Sequence, residues 1–226
     1  MAATNVRPYR MSEIKSKLLQ PALTSHYVCQ FNPPKRTNDS PLQQFQEQRK
    51  SAGFLGADWN SNQELIELSC CEASLPGSSL ATTDINGDYT GVSERHAYRR
   101  LYDQNADFTF YVDVNHYIID YFESWLSFIV GENDIKRQRT PNYNYRINFP
   151  DFYKSDYLSI TKFEKDYSGR YLTYQFINAF PISINSIPVS YDSSQLLKCT
   201  VSFNYSRYVL SRDIIKKDDI VNGDAN

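Results

Sequence analysis

Apolar and polar positions alternate most cleanly over residues 108–114, where Phe108, Phe110, Val112 and Val114 fall on one face of an extended chain. Period two of this kind predicts a strand with one face buried. The alternation returns within 196–208, through Leu197, Cys199, Val201, Phe203 and Tyr205. Shorter strand signals occupy 26–31, closed by Pro33-Pro34, then 64–72, 157–164 and 171–176. Residues 180–191 read as irregular, and 83–102 as polar and aromatic, with turn signals at Asn86-Gly87 and Gly91. Helical spacing is clearest at Ile118, Phe122, Trp125 and Ile129, an apolar stripe at i, i+4, i+7 and i+11. It predicts one helix over about 116–130, packed on the sheet, with Asn115 as N-cap and Gly131 just past its end. Met11, Ile14 and Leu18 have helical spacing for about two turns, closed by Pro21.

Long polar stretches separate these elements. Residues 33–60 carry Gln43, Gln44, Gln46 and Gln48, with Leu42, Phe45, Phe54, Leu55 and Trp59 as scattered apolar anchors. An insertion of ~28 residues inside a compact domain is uncommon and usually functional. On its own it buries too little apolar surface to offset its ordering entropy, so it is expected to order against a neighbouring subunit as an assembly loop. Residues 133–155 form a second connection, and the charged stretch 211–226 reads as a peripheral tail. Nothing alternates strand with helix in the way a parallel sheet requires. The expected architecture is a single domain over 1–226, mainly β: an antiparallel β-sandwich or split barrel with one flanking helix and a long inserted loop.

Composition narrows the function classes. The 226 residues include 24 Lys+Arg against 26 Asp+Glu, a balance unlike that of a strongly basic nucleic-acid binder. No run approaches the ~18 apolar residues of a membrane span, and the first residues lack an apolar signal core, so a soluble chain with no membrane partner is expected. Aromatics are abundant, with 18 Tyr and 13 Phe against only 8 Gly. Tyr and Phe suit pleated surfaces, and Tyr also suits interfaces through its apolar body and polar tip. Cys29, Cys70, Cys71 and Cys199 have no CxxC spacing and read as reduced thiols.

The search for catalytic chemistry ends without a constellation. His26, His96 and His116 are too dispersed for a metal site, and no GxSxG elbow, GxxxxGK[ST] or GxGxxG loop is present. Asp84-Ile85-Asn86-Gly87-Asp88 opens like a calcium loop, but Tyr89 stands where the turn glycine is needed and Arg95 where the closing acid is needed. It reads as a turn. No catalytic residue, metal or cofactor is assigned. Arg95-His96-Ala97-Tyr98-Arg99-Arg100 mixes basic and aromatic residues; in a net-acidic chain it reads better as a protein interface than as a single-strand binder.

Several stretches, in this order and spacing, resemble tail tube proteins of contractile-tailed phages, particularly those of marine cyanophages. They are Leu75-Pro-Gly-Ser-Ser-Leu-Ala-Thr-Thr83, Gly91-Val-Ser-Glu-Arg-His-Ala-Tyr-Arg-Arg100, Phe122-Glu-Ser-Trp125, Asn178-Ala-Phe-Pro-Ile-Ser-Ile-Asn185, Tyr191-Asp-Ser-Ser194 and Val201-Ser-Phe-Asn-Tyr205. The resemblance covers about 11–31 and 68–208; residues 33–60 stand outside it. It implies a small antiparallel β-sandwich or split barrel with a flanking helix, six copies to a ring, and rings stacked into a tube crossed by the genome. It implies a virion tail location with assembly in the host cytoplasm. The implied partners are further copies of the chain, sheath proteins and baseplate hub or tube-initiator proteins, with DNA passing unbound. On this reading Phe45, Phe54, Trp59, Pro76, Gly77, Arg95, Tyr98 and Arg99 are candidate interface residues, and Asp107 and Asp113 candidate lining of the lumen. A baseplate tube initiator, forming a single ring, is the alternative; a monomeric carbohydrate-binding β-sandwich is a third and weaker one.

Overall fold

The computed structural model describes residues 22–32, 47, 59–87, 91–131, 146–155, 157–164, 170–192 and 195–214. Among them the order is β1 (Tyr27–Phe31), α1 (Trp59–Ser69), β2 (Cys70–Ala73), β3 (Ser78–Asn86), β4 (Ser93–Tyr102), β5 (Asn105–Tyr111), α2 (Tyr117–Val130), α3 (Pro150–Tyr153), β6 (Leu158–Phe163), β7 (Arg170–Ile177), β8 (Phe180–Ile184), β9 (Lys198–Asn204) and β10 (Arg207–Ile214). One sheet has the order β1-β6-β7-β10 and a second the order β2-β5-β9-β8. Strands β3 and β4 form a separate two-stranded hairpin. Every strand pairing is antiparallel, so the chain is mainly β, as expected.

The two large sheets pack through aromatic rings. Phe31 of β1 meets Phe108 of β5 edge-on at 5.1 Å and Phe203 of β9 at 5.9 Å. Phe176 of β7 reaches Phe108 at 6.3 Å. Helix α2 adds Phe122, 5.1 Å from Phe110 and 5.9 Å from Phe203. Each buried ring removes about 150–250 Å² from water, worth several kcal/mol at roughly 25 cal/mol/Å² before ordering entropy is subtracted. Ile118, Phe122 and Trp125 of the predicted stripe are buried, and Ile129 is partly buried against the same core. Tyr121, Ser124 and Phe128 are buried too, so the covered face is wider than the stripe. The Trp125 indole N–H donates to the Tyr153 carbonyl at 3.0 Å, tying α3 beneath the helix.

The ends of α2 differ from expectation on one side only. Gly131, at φ 75°, closes the C-terminus in the left-handed conformation that glycine adopts without a Cβ penalty. At the N-terminus the cap position is His116, at φ 59°, not Asn115. Asp113 supplies the cap: its carboxylate accepts from the N–H of Asn115 at 3.0 Å and of Tyr117 at 2.9 Å.

Other expectations need correction. Residues 64–72 are not one strand: α1 runs to Ser69 and only Cys70–Ala73 is extended. Gln63, Glu64, Leu65, Glu67 and Leu68 are strong helix formers, Gln63 bonds Glu67 one turn on at 3.0 Å, and one side chain, Ile66, is fully buried. There are thus three helices among the described residues, not one. Val114 lies beyond the end of β5 and is 93% exposed. The segment read as irregular contains β8, an edge strand whose Pro181 lies beside a bulge, where a missing donor is tolerated. The run 196–208 divides at Tyr205-Ser206, β9 staying in one sheet while β10 crosses to the other. That strand pairs with β7 as far as Ile214, so the stretch from Ser211 begins inside a sheet rather than as a tail. The predicted N-terminal helix, Phe45 and Phe54 of the 33–60 loop, and positions 215–226 lie outside the described residues, as does the side chain of Trp59.

Candidate functional site

The hairpin β3–β4 is unlike the rest of the chain. Of its residues only Ala81 and Tyr102 are even partly covered. Leu80, Ile85 and Tyr98 are between 54 and 69% exposed, and so is Val92 in the turn. Strands of this length span about 30 Å at ~3.3 Å per residue. A lone two-stranded hairpin is marginal in water, and both of its outer edges offer unpaired backbone groups. The register passes from Ala81↔Arg99 to Thr82↔Ala97, which leaves Tyr98 as the extra residue of a bulge in β4.

Its root is fastened firmly. The Gly77 N–H donates to Asp103 Oδ2 at 2.6 Å, and the Asp103 N–H returns to the Gly77 carbonyl at 3.2 Å. Space at Gly77 is taken by that carboxylate, which a Cβ would meet at 2.6 Å. Arg100 lies over the rings of Tyr102 and Tyr208 at 5.0 and 5.4 Å, and donates to Ser78 Oγ and Tyr208 Oη at 3.0 and 3.3 Å. Tyr208 in turn stacks on Tyr102 and Tyr174, at 5.3 and 5.7 Å. These contacts hold the hairpin base against β10 and β7 while the rest projects.

Arg95, Tyr98 and Arg99 therefore share one exposed strand. Arg95 pairs with Asp84 across the hairpin at 2.7 Å, and His96 Nε2 lies 3.1 Å from Glu94. Both pairs are open to water and worth little to stability. Pro76, the residue before Gly77, is buried within the subunit. Sequence reasoning missed the anchor of Ser78, Arg100, Tyr102 and Tyr208. Arg100 stood in the basic cluster, but nothing along the chain linked it to a tyrosine 108 positions later.

A second surface is the outward face of the β5–β9 pair. Asn105 and Asn204, Asp107 and Ser202, Thr109 and Thr200, and Tyr111 and Lys198 stand opposite each other there. Ser202 donates to Asp107 at 2.6 Å, and the two threonine hydroxyls are 3.0 Å apart. Lys198 lies 5.3 Å from the Tyr111 ring. The face is polar, with one acid and one base. Asp113 is not part of it, because its carboxylate caps α2.

Burial governs the titratable core groups. It pushes Cys199 up to about 11, with the Glu123 charge adding to it, and Tyr205 up to about 12, with Asp103 and Tyr208 contributing. These groups are neutral at ordinary pH, and none pairs a nucleophile with a base. Among the described residues no three His, Cys, Asp or Glu side chains come together as a metal site.

A family model described as phage tail tube protein matches residues 22–211. The chain belongs to the phage tail tube protein family. As a tail tube family member it has a tail structural role. Chains in solved structures of contractile assemblies are similar to this one at low identity. A chain of the anti-feeding prophage baseplate, sixfold symmetrised, is 10% identical with TM-score 0.50, covering 84% of this chain and 95% of that one. A chain of the tube-terminating cap of the same prophage is 11% identical with TM-score 0.48, covering 94% and 100%. A chain of the sheath–tube complex of an extracellular contractile injection system is 11% identical with TM-score 0.47, covering 90% and 99%. No curated protein matches in sequence.

Proposed function

We propose that this tail tube family member forms six-membered rings that stack into the tube through which phage DNA passes, with β3–β4 as its principal contact between copies. The observation that carries the reading is the hairpin: a projecting ribbon with exposed Leu80, Ile85, Val92 and Tyr98, two open edges and a firmly held root. Such a ribbon is stable when a neighbouring copy covers its apolar side chains and pairs its edges, and closed rings supply that neighbour at every position. The polar face bearing Asp107, Thr109, Thr200 and Ser202 suits the lumen. A sliding polyanion is retarded by each Lys or Arg that contacts phosphate, and this face carries only Lys198. Sheath and baseplate proteins are the further partners of this reading, and the location is the virion tail.

Electron microscopy of the purified protein tests it. Sixfold rings stacked into tubes are expected. Single rings that never stack point instead to a baseplate tube initiator, and a monomer at every concentration removes the assembly reading.

A further inference from the structure

The four cysteines divide into unlike pairs. Cys199 is buried on the inner face of β9, and the Cys71 thiol donates to the Thr109 carbonyl at 3.3 Å. Cys29 and Cys70 come from different sheets, 41 positions apart, and their sulfurs lie 3.7 Å from each other. A second contact holds this arrangement: the hydroxyl of Tyr27, two residues before Cys29 on β1, donates to the Cys70 carbonyl at 3.2 Å. Tyr27 and Cys29 thus both reach Cys70 from one strand. Cys29 is 1% exposed, whereas Cys70 is only partly buried. The register shift between Cys70 and Glu72 places a bulge here, and bulged backbone gives more readily than a regular ladder.

We propose that Cys29 and Cys70 form a redox-active dithiol site that low-molecular-weight disulfides oxidise to a disulfide joining the two sheets. The thiolate of Cys70 attacks one sulfur of the reagent, forming a mixed disulfide and expelling one thiol. Cys29 then attacks the Cys70 sulfur, its proton passing to the departing reagent sulfur, so that the Cys29–Cys70 bond forms as the second thiol leaves. Two protein thiols are oxidised and one reagent disulfide is reduced to two thiols, which carry away the two protons. Hydrogen bonding to Cys70, together with burial, raises the Cys29 thiol far above its ordinary range, which keeps it protonated and assigns entry to Cys70. Cys71 is disfavoured as the partner, because its thiol is turned to the Thr109 carbonyl, 3.3 Å away. The closed bond fastens β1 to β2, adding a covalent tie to the aromatic packing and the Tyr27–Cys70 hydrogen bond that already join the two sheets.

The test incubates the full chain with graded ratios of oxidised to reduced glutathione, quenches with acid, alkylates after denaturation and maps peptides by mass spectrometry. The expected result is loss of two of the four alkylatable cysteines, a peptide linking Cys29 to Cys70, and reversal by dithiothreitol. The thermal midpoint should rise by about 5–10 °C on oxidation. Cys71→Ser retains the cross-link; Cys70→Ser abolishes it and leaves Cys29 unmodified. A persistent glutathione adduct on Cys70, a Cys70–Cys71 linkage, or four alkylatable thiols at every ratio would overturn the proposal. The peptide map of the unsubstituted chain decides the matter whether or not the variants fold.

Discussion

Strands β4 and β5 are separated by two residues, Asp103 and Gln104, and have opposite environments. On β5, Ala106, Phe108 and Phe110 are sealed under Phe31, Phe122 and Phe203, while the alternate residues face outward. On β4, nine residues are exposed and only Tyr102 is partly covered. Both strands are rich in aromatic or long side chains, so the difference does not come from side-chain size. It comes from what lies opposite: a second sheet and a helix in one case and, among the described residues, only the contacts of Arg100 and Tyr102 with Tyr208 at the root in the other. Stability of the subunit and its capacity to assemble therefore rest on different residues and should be separable by mutation.

The largest separation is expected from replacing residues 81–99 with an Asn-Gly turn, which joins the paired Leu80 and Arg100 and retains the hairpin root. Circular dichroism and urea melting should report a folded subunit, while electron microscopy should show complete loss of rings and tubes. Assembly like that of the parent chain would make the hairpin dispensable.

In the core, Trp125→Ala empties a buried site and breaks the bond to Tyr153, so it should destabilise by about 3–5 kcal/mol in urea melting. Tyr98→Ala, on the hairpin, should change subunit stability by less than ~0.5 kcal/mol yet lower the assembled fraction roughly tenfold. Reversal of those two outcomes would erase the division between the regions.

Alkali should also act on the core and spare the hairpin. Burial raises Cys199 from 9.0 to about 11 and Tyr205 from 10.0 to about 12. The unfolded chain therefore loses these protons at lower pH than the folded one. Their contribution is complete below about pH 9 and is lost as pH rises toward 12, so the urea midpoint should fall across that window. Tyr205→Phe should remove the portion of the fall above pH 10 that belongs to this group.

Smaller effects lie at the boundary elements. Asp113→Ala leaves the N–H groups of Asn115 and Tyr117 without their acceptor and should cost about 1–2 kcal/mol in melting experiments. Arg95→Gln opens an exposed pair and should change subunit stability by at most ~1 kcal/mol, with any larger consequence confined to the assembled state.

Wherever one chain buries one face, the residue order alone determined the local structure. The inward positions of β5 and β9, the stripe of α2 and the stop at Gly131 were legible because burial on one side imposes a period of two or 3.6. Where burial is absent, that signal vanishes. The strands of the hairpin could not be read because, among the described residues, little covers either face, leaving only the turn signals at Asn86-Gly87 and Gly91 visible. Helix α1 was obscured for the converse reason: over Gln63–Ser69, where side chains are described, Ile66 alone is fully buried, and a short apolar cluster fits a strand as well as a helix. Tertiary structure alone decided the crossing of β10 to the other sheet, the Arg100–Tyr208 anchor and the meeting of Cys29 with Cys70. Each depends on groups brought together by packing of the two sheets, and a local pattern cannot encode a distance between residues it does not contain.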